Sequence, residues 1–292
     1  VAPNDKNPSR RGEPAKVVPY MRGDQDYIAP IMSNPENVYS LGPNAYGKPA
    51  TALNILRETV MGKELFDHAF KTYAQRWMFK HPTPEDFFRT MEDASAVDLD
   101  WFWRGWFYTT DYVDIGVKEV KKFYVSSEPN AEMKKYMEDR NVTEADFPPL
   151  VYLVEESSED FNENLKGKAP SETSKNLKEF MMDNMTAEER AQVKEPKYFY
   201  EITFDKPGGI PMPLIVEYTY ADGTKESITY PAEIWRKNDS EVTRVMATEK
   251  ELTNIVIDPK LETADIDTEN NSWPRKEEKS DFSKFKDSIK GK

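Results

Sequence analysis

The 292-residue chain is long enough for about two domains, and its 38% hydrophobic content, with 15 Phe, 15 Tyr and 6 Trp, excludes general disorder. A net charge of −13 argues against a nucleic-acid partner, because the surface would repel phosphate groups. The absence of cysteine excludes disulfides, thiolate zinc sites and cysteine nucleophiles. No run of about 18 apolar residues is present, so the sequence predicts no membrane span.

Residues 1–45 contain seven prolines and three glycines, a density that is incompatible with long helices or central strands. We predict an irregular segment here. Residues 20–32 are apolar enough to pack across the surface of the part that follows.

Four helices are predicted between residues 46 and 111. The first follows Pro49 and ends at Gly62, and the second carries an apolar stripe that ends before His81. The third begins at Thr83 and runs to about residue 94. Its start is indicated by Pro84 at the first helical position and by the acidic residue Asp86 three positions after Thr83. Asp98 is the predicted cap of the fourth, which is apolar nearly all round at Leu99, Phe102, Trp103, Trp106 and Phe107.

After residue 111 the hydrophobic period shortens to that of strands. Candidate strands lie at 112–125, 198–204, 214–220, 225–230, 233–236, 242–247 and 252–257, with an Asp222-Gly223 turn that forms a hairpin. Their spacing predicts a small β-sandwich. A charged insertion at about 127–194, with two helical patches, is expected on the surface, and residues 273–292 read as a charged tail.

One segment opens with Tyr46-Gly47-Lys48-Pro49-Ala50-Thr51-Ala52-Leu53 and continues with Leu56, Gly62, Phe66, Tyr73, Trp77 and His81-Pro82. It is similar to the aminopeptidase N family of zinc metallopeptidases, which are gluzincins. The resemblance covers roughly residues 20–110. It implies that the helices are the carboxy-terminal part of a thermolysin-like catalytic domain. In that family the tyrosine at the position of Tyr46 donates a hydrogen bond to the oxyanion of the tetrahedral intermediate. A phenol suits this role because it remains protonated at neutral pH. The competing interpretation is that Tyr46 only packs at a helix start.

The family binds zinc through a His-Glu-x-x-His helix and a later Glu, and none of these occurs in this chain. The resemblance therefore implies zinc in the full-length parent protein, and none bound by this chain alone. The two histidines, His68 and His81, are interpreted as structural. We assign no metal ligand and no cofactor-binding residue.

Three further patterns have structural interpretations that we favour. Residues 265–271 alternate oxygen-bearing side chains as calcium loops do, but lack the glycine and glutamate of the EF-hand, and are read as the end of the sandwich. Gly208-Gly209 lacks the spacing of a phosphate-binding loop. The aromatic residues from Trp101 to Trp106 fit a core helix better than a ligand groove.

A second similarity concerns the β-rich part. It resembles an immunoglobulin-like domain of bacterial members of the family. The resemblance lies in five segments: residues 209–214, the Asp222-Gly223 turn, Ile234-Trp235-Arg236, Asp258-Pro259 and the Asp/Asn-rich end. The predicted class is thus multi-domain α+β. Residues 1–45 are an irregular segment on the catalytic domain, 46–111 its helical part, 112–272 the sandwich with its insertion, and 273–292 the tail.

Two functions follow from these predictions. In the first, the chain is the carboxy-terminal part of a zinc-dependent aminopeptidase, and the full-length protein hydrolyses peptides. The isolated chain is then expected to be inactive, and its partners are the missing catalytic half and, in the full-length protein, the peptide substrate. The second is a non-catalytic protein-binding or scaffolding module, favoured by the missing metal motif and the acidic charge. The family analogy implies the periplasm or cell envelope.

Overall fold

The computed structural model describes residues 12–147, 152–164, 166, 171–193 and 196–275, and combines helices with two antiparallel sheets, which confirms a mixed α+β class. The helices are α1 (Val18–Met21), α2 (Lys48–Ile55), α3 (Lys63–Trp77), α4 (Pro84–Ser95), α5 (Asp100–Trp103), α6 (Ala131–Arg140), α7 (Ser171–Asn184) and α8 (Ala187–Gln192). The strands are β1 (Gly116–Ser126), β2 (Tyr152–Glu155), β3 (Tyr198–Asp205), β4 (Leu214–Tyr220), β5 (Lys225–Tyr230), β6 (Glu241–Thr248), β7 (Leu252–Ile257) and β8 (Ser272–Trp273). Among the helices in these ranges, none has both the length and the apolar character to cross a membrane.

The four predicted helices of residues 46–111 are present. Wide helical turns at Pro43–Gly47 and Leu56–Val60 extend α2 at both ends, and Gly62 ends it with a φ of 80° that suits glycine. Thr83 and Asp86 form the predicted reciprocal cap of α4. The aromatic residues of α5 and the turn Arg104–Tyr108 fill the core, where Trp103 stacks on Phe88 at 4.6 Å.

The start of the fourth helix differs from the prediction by one position. The residue that precedes its first turn is Leu99, and α5 begins at Asp100. The backbone N–H of Leu99 donates to the carboxylate of Glu92 at 2.9 Å, while Asp98 accepts from the N–H of Asp100 at 3.2 Å. A carboxylate from the neighbouring helix α4 therefore supplies a contact that local sequence does not reveal.

The proline-rich segment follows the prediction over its described part, residues 12–45. It consists of short turns, and Val17 and Met21 are buried in the helical core. The N–H of Met32 donates to the carbonyl of Phe107 at 3.0 Å. Residues 1–11 lie outside the described residues.

The strands form two four-stranded antiparallel sheets, ordered β2-β1-β3-β6 and β5-β4-β7-β8. The predicted bounds of β4, β5 and β7 are confirmed. Alternate residues of β3 and β4, among them Ile202 and Val216, belong to one hydrophobic core that continues into the helices. The Tyr200 hydroxyl joins the two sheets by accepting from the N–H of Leu252 at 2.7 Å.

Two strand assignments need correction. The predicted strand at 233–236 is wrong, since Ala232–Arg236 forms a 3₁₀ turn. This turn brings Ala232 and Trp235, three residues apart, to the same buried side, and the Trp235 indole donates to the carbonyl of Met212 at 2.9 Å. The second correction is β2, which lies inside the predicted surface insertion yet pairs with β1 and buries Tyr152. Residues 276–292 of the predicted tail lie outside the described residues.

Candidate functional site

Tyr46, the candidate catalytic residue, lies in the wide helical turn Pro43–Gly47 that leads into α2. Its side chain is 57% exposed, whereas Asn44 and Lys48, two residues before and after it, are 2% and 0% exposed. Residues four apart share one face of a helical turn, and the residue between them faces away. The same turn therefore directs Asn44 and Lys48 inward and leaves the phenol at the surface.

Both inward side chains bind backbone carbonyl groups of irregular segments. The Asn44 amide donates to the carbonyl of Ala29 at 2.6 Å, which attaches the turn to the proline-rich segment. The Lys48 ammonium group donates to the carbonyl of Thr109 at 3.2 Å, just beyond the aromatic turn Arg104–Tyr108. These contacts join three parts of the chain beneath Tyr46, so its backbone has little freedom to move.

Burial lowers the pKa of Lys48 to about 8, an effect that the Asp111 carboxylate partly opposes. Asp111 has the same opposing influence on Lys206, whose pKa is lowered mainly by burial and whose ammonium group donates to the carbonyl of Gly208 at 2.8 Å. A Cβ atom at Gly209 would lie 2.3 Å from the Asp111 side chain. The exposed Asp111 side chain could move aside, whereas a Cβ atom at Gly208 would lie 2.4 Å from the backbone carbonyl oxygen of Tyr112. Gly208 is therefore the glycine that close packing requires here, which agrees with the interpretation of this pair as loop residues.

A cleft of about 490 Å³ lies where the helices meet the sheets. Trp101, Arg104, Asp111, Lys206 and Trp235 are among its lining residues, so charges of both signs face it. Of the aromatic block, Trp103 and Trp106 are buried in the core as predicted. Trp101 instead contributes to the cleft, while its indole nitrogen is buried without a hydrogen-bond partner in the described structure.

The two histidines are exposed, His68 on α3 and His81 in the loop before α4. Among the described residues, the potential ligand atoms of one acidic set, Glu92, Asp98 and Asp100, lie within 4.8 Å of one another, and neither histidine belongs to this set. Burial raises the pKa of Glu92, and the two neighbouring carboxylates add to this. Catalytic zinc sites in proteins include at least one histidine, and among the described residues no set of three or more candidate ligands contains one.

The sequence resemblance points to Tyr46, but nothing in the sequence reveals the buried contacts that Asn44 and Lys48 make on either side of it. Asn and Lys are common at surfaces, and only the partners at residues 29 and 109 distinguish these two. No protein-family model matches the chain, and comparison with curated proteins gives no match.

Proposed function

We propose that this chain is the carboxy-terminal part of a zinc-dependent aminopeptidase. In this proposal Tyr46 is the oxyanion donor, and residues 46–111 form the wall of a catalytic cleft that another part of the parent protein completes. The two sheets would then be the immunoglobulin-like domain of the resemblance. The observation that carries the proposal is the exposed phenol of Tyr46 on a turn that two buried polar side chains hold in place.

The chemistry assigned to Tyr46 is a hydrogen bond from its hydroxyl group to the negative oxygen of the tetrahedral intermediate. Such a donor is effective when its position is fixed before the reaction, because no reorganisation is then needed as charge develops. The contacts of Asn44 and Lys48 would serve this role by holding the backbone on both sides of Tyr46. When bound in the parent protein, zinc would activate water and polarise the substrate carbonyl group.

The exposed side chains of residues 27–46 also support a missing neighbour. Tyr27, Tyr39 and Leu41 are 59%, 80% and 52% exposed, and the rings of Tyr27 and Tyr39 contact each other at 5.8 Å. Exposed apolar groups of this kind are typical of surfaces that another polypeptide covers. The missing catalytic half is the occupant that the proposal requires.

The test is a longer protein that begins upstream of Val1 in the parent gene, loaded with zinc and assayed on aminoacyl anilide substrates. Tyr46→Phe should lower kcat about 10²- to 10³-fold, because one oxyanion donor is lost, while zinc content stays the same. Tyr39→Phe is the matched control, since it removes another exposed phenol from the same segment. Equal kcat values for the two variants would remove Tyr46 from catalysis.

The same exposed aromatic side chains fit the second candidate function, a non-catalytic binding module. The upstream coding sequence separates the two. A His-Glu-x-x-His motif followed by a later Glu is required by the peptidase, and a gene that begins at Val1 would favour the binding module.

A further inference from the structure

The turn between α3 and α4 carries Phe79, whose side chain is 97% exposed, the most of any large apolar residue in the described ranges. The N–H of Lys80 donates to the carbonyl of Trp77 at 2.9 Å, and Met78 has a φ of −52° and a ψ of 129°. With a φ of 61° at Phe79, these values are those of a type II turn. The third residue of such a turn is ordinarily glycine, because a Cβ atom is disfavoured at positive φ.

Phenylalanine at this position is unfavourable for the chain taken by itself. Phe79 is the one aromatic residue among the described non-glycine residues with positive φ. Its exposed ring makes almost no packing contact with the described chain that would offset the strain. Met78 beside it is 56% exposed. Two apolar side chains that project from a strained turn indicate a contact outside this chain.

The charges near this turn are positive. Residues 68–84 contain Lys71, Arg76 and Lys80 and no Asp or Glu, although 53 of the 292 residues are acidic. All three cationic side chains are exposed. Arg76 forms an ion pair with Asp93 at 3.4 Å, whereas the Lys80 ammonium group lies over the ring of Trp77 at 5.8 Å, and no described carboxylate is within ion-pair distance of it. We call residues 77–81 the Phe79 tip.

The acids that border this stretch in sequence, Asp67 and Glu85, have partners within the chain. Asp67 accepts from the Arg57 guanidinium group at 2.7 Å, and Glu85 accepts from the Tyr108 hydroxyl at 3.3 Å. At physiological salt, exposed charges more than about 8 Å apart are largely screened. The net charge of −13 therefore does not cancel the positive charge at the Phe79 tip.

We propose that the Phe79 tip inserts into the surface of an anionic lipid bilayer. The side chains of Phe79 and Met78 would enter the boundary between headgroups and acyl chains, with the ammonium group of Lys80 among the anionic headgroups. A bilayer accepts a convex apolar group without a pocket of matching shape. A stable protein partner would bury about 800 Å² on each side, and two apolar side chains on one turn offer much less. The proposal does not depend on the proposed function.

The experiment is cosedimentation of the 292-residue chain with vesicles of phosphatidylglycerol and phosphatidylcholine in equal amounts. Vesicles of phosphatidylcholine alone should bind it at least about tenfold more weakly, because each cation near an anionic surface contributes about fivefold. Equal binding to both kinds of vesicle would contradict the proposal. Binding about tenfold weaker than that of one myristoyl chain would still be visible at ~5 mM lipid, so no binding to the mixed vesicles there would overturn it.

Phe79→Gly is the decisive variant, because glycine suits the turn and removes the ring. It should bind the mixed vesicles at least about tenfold more weakly, while its midpoint of urea unfolding stays equal or rises. Leu261→Gly is the matched control, since Leu261 is also apolar, 50% exposed and at a positive φ of 55°. It should bind as the parent chain does. Unchanged binding of Phe79→Gly, or equal losses in both variants, would refute insertion of the tip.

Lys80→Gln should weaken binding to the mixed vesicles about fivefold, whereas Lys237→Gln, at an exposed position elsewhere, should not change it. Two results would assign the tip a different occupant and so reject the bilayer. Retention on immobilised polyglutamate that requires Phe79, without vesicle binding, would indicate an acidic polypeptide. Vesicle binding by this chain but not by the longer parent protein would indicate that the missing half covers the tip.

Discussion

The helical region (described from residue 12 to residue 111) and the last loop of the two-sheet region, between β7 and β8, bury opposite kinds of polar group. In the helical region, Asn44, Lys48 and Asn54 donate to the carbonyl groups of Ala29, Thr109 and Gly12. Each of these carbonyl groups lies in irregular chain, where no strand or helix supplies a donor.

In the last loop of the two-sheet region, the buried polar groups are mainly acceptors. Asp258 is 2% exposed and accepts from the N–H of Glu262 at 2.7 Å and from the N–H and hydroxyl of Thr263. Asp265 accepts from two further N–H groups. The charge that each region buries therefore matches the backbone groups that its irregular segments leave without partners. Predictions that remove one donor or one acceptor test this difference.

The largest effect is expected for Asp258→Ala on the acceptor side. The change leaves two N–H groups and a hydroxyl without their acceptor, each at a cost of about 1–3 kcal/mol, so the free energy of unfolding should fall by about 4 kcal/mol. Urea unfolding followed by tryptophan fluorescence measures this. Asp139→Ala on the exposed face of α6 is the control, with a change within about 0.5 kcal/mol. A loss below about 1 kcal/mol for Asp258→Ala would show that water replaces the carboxylate.

Lys48→Met tests the donor side through pH. Because the pKa of Lys48 is about 8 in the folded chain and about 10.5 when unfolded, the unfolded chain binds more protons between these values. Stability of the parent chain should therefore rise with pH across this window, by about 3 kcal/mol relative to Lys48→Met. Urea unfolding of both chains at several values from pH 7 to pH 10 gives the difference. Lys237→Met, at an exposed position, should follow the parent curve. Parallel curves for parent and Lys48→Met would contradict the buried charge.

Asn44→Ala removes the amide donor that attaches the turn beneath Tyr46 to the proline-rich segment. We expect a loss of about 2 kcal/mol, since the carbonyl of Ala29 loses its partner in a part-buried site. Limited proteolysis should also cut residues 12–45 faster than in the parent chain, because a local contact holds them. Asn34→Ala, whose amide oxygen only caps an exposed turn, is the control for the proteolysis rate. Equal cleavage in both variants would assign the attachment to apolar packing instead.

The smallest effect is expected for Thr83→Ala at the start of α4. The exposed reciprocal cap with Asp86 lies outside the buried contacts that distinguish the two regions, and its loss should cost about 1 kcal/mol in urea unfolding. Thr72→Ala, the same substitution within α3, should be neutral or slightly stabilising, because alanine has the higher helix propensity. A larger loss for Thr72 would mean that its hydroxyl contact with His68 matters more than the cap.

The parts of the fold that follow local rules were predictable from sequence. The Thr83 cap, the apolar helix around Phe102 and Trp106, and the alternation in β4 and β7 each depend on side chains within a few positions of one another. Tyr46 was identified by the family resemblance and not by such a local rule, and its catalytic role stays a prediction.

The misassigned elements depend on distant partners. Tyr152–Glu155 is a four-residue strand in a polar stretch and is stabilised by pairing with β1. Ala232–Arg236 has strand-like composition, but contact of Trp235 with the carbonyl of Met212 favours the helical turn. Short segments such as these have too little intrinsic preference to determine their own conformation, so packing decides it.

Sequence by itself determined the α+β class, most element positions and the anionic charge, because hydrophobic period, caps and turn residues act over a few positions. Only the tertiary structure decided that Lys48 is buried against Thr109 and that Asp114 meets Asn270, 156 residues later. The physical reason is that burial and the pKa changes it causes depend on every segment packed around a group, and residue spacing along the chain carries none of that information.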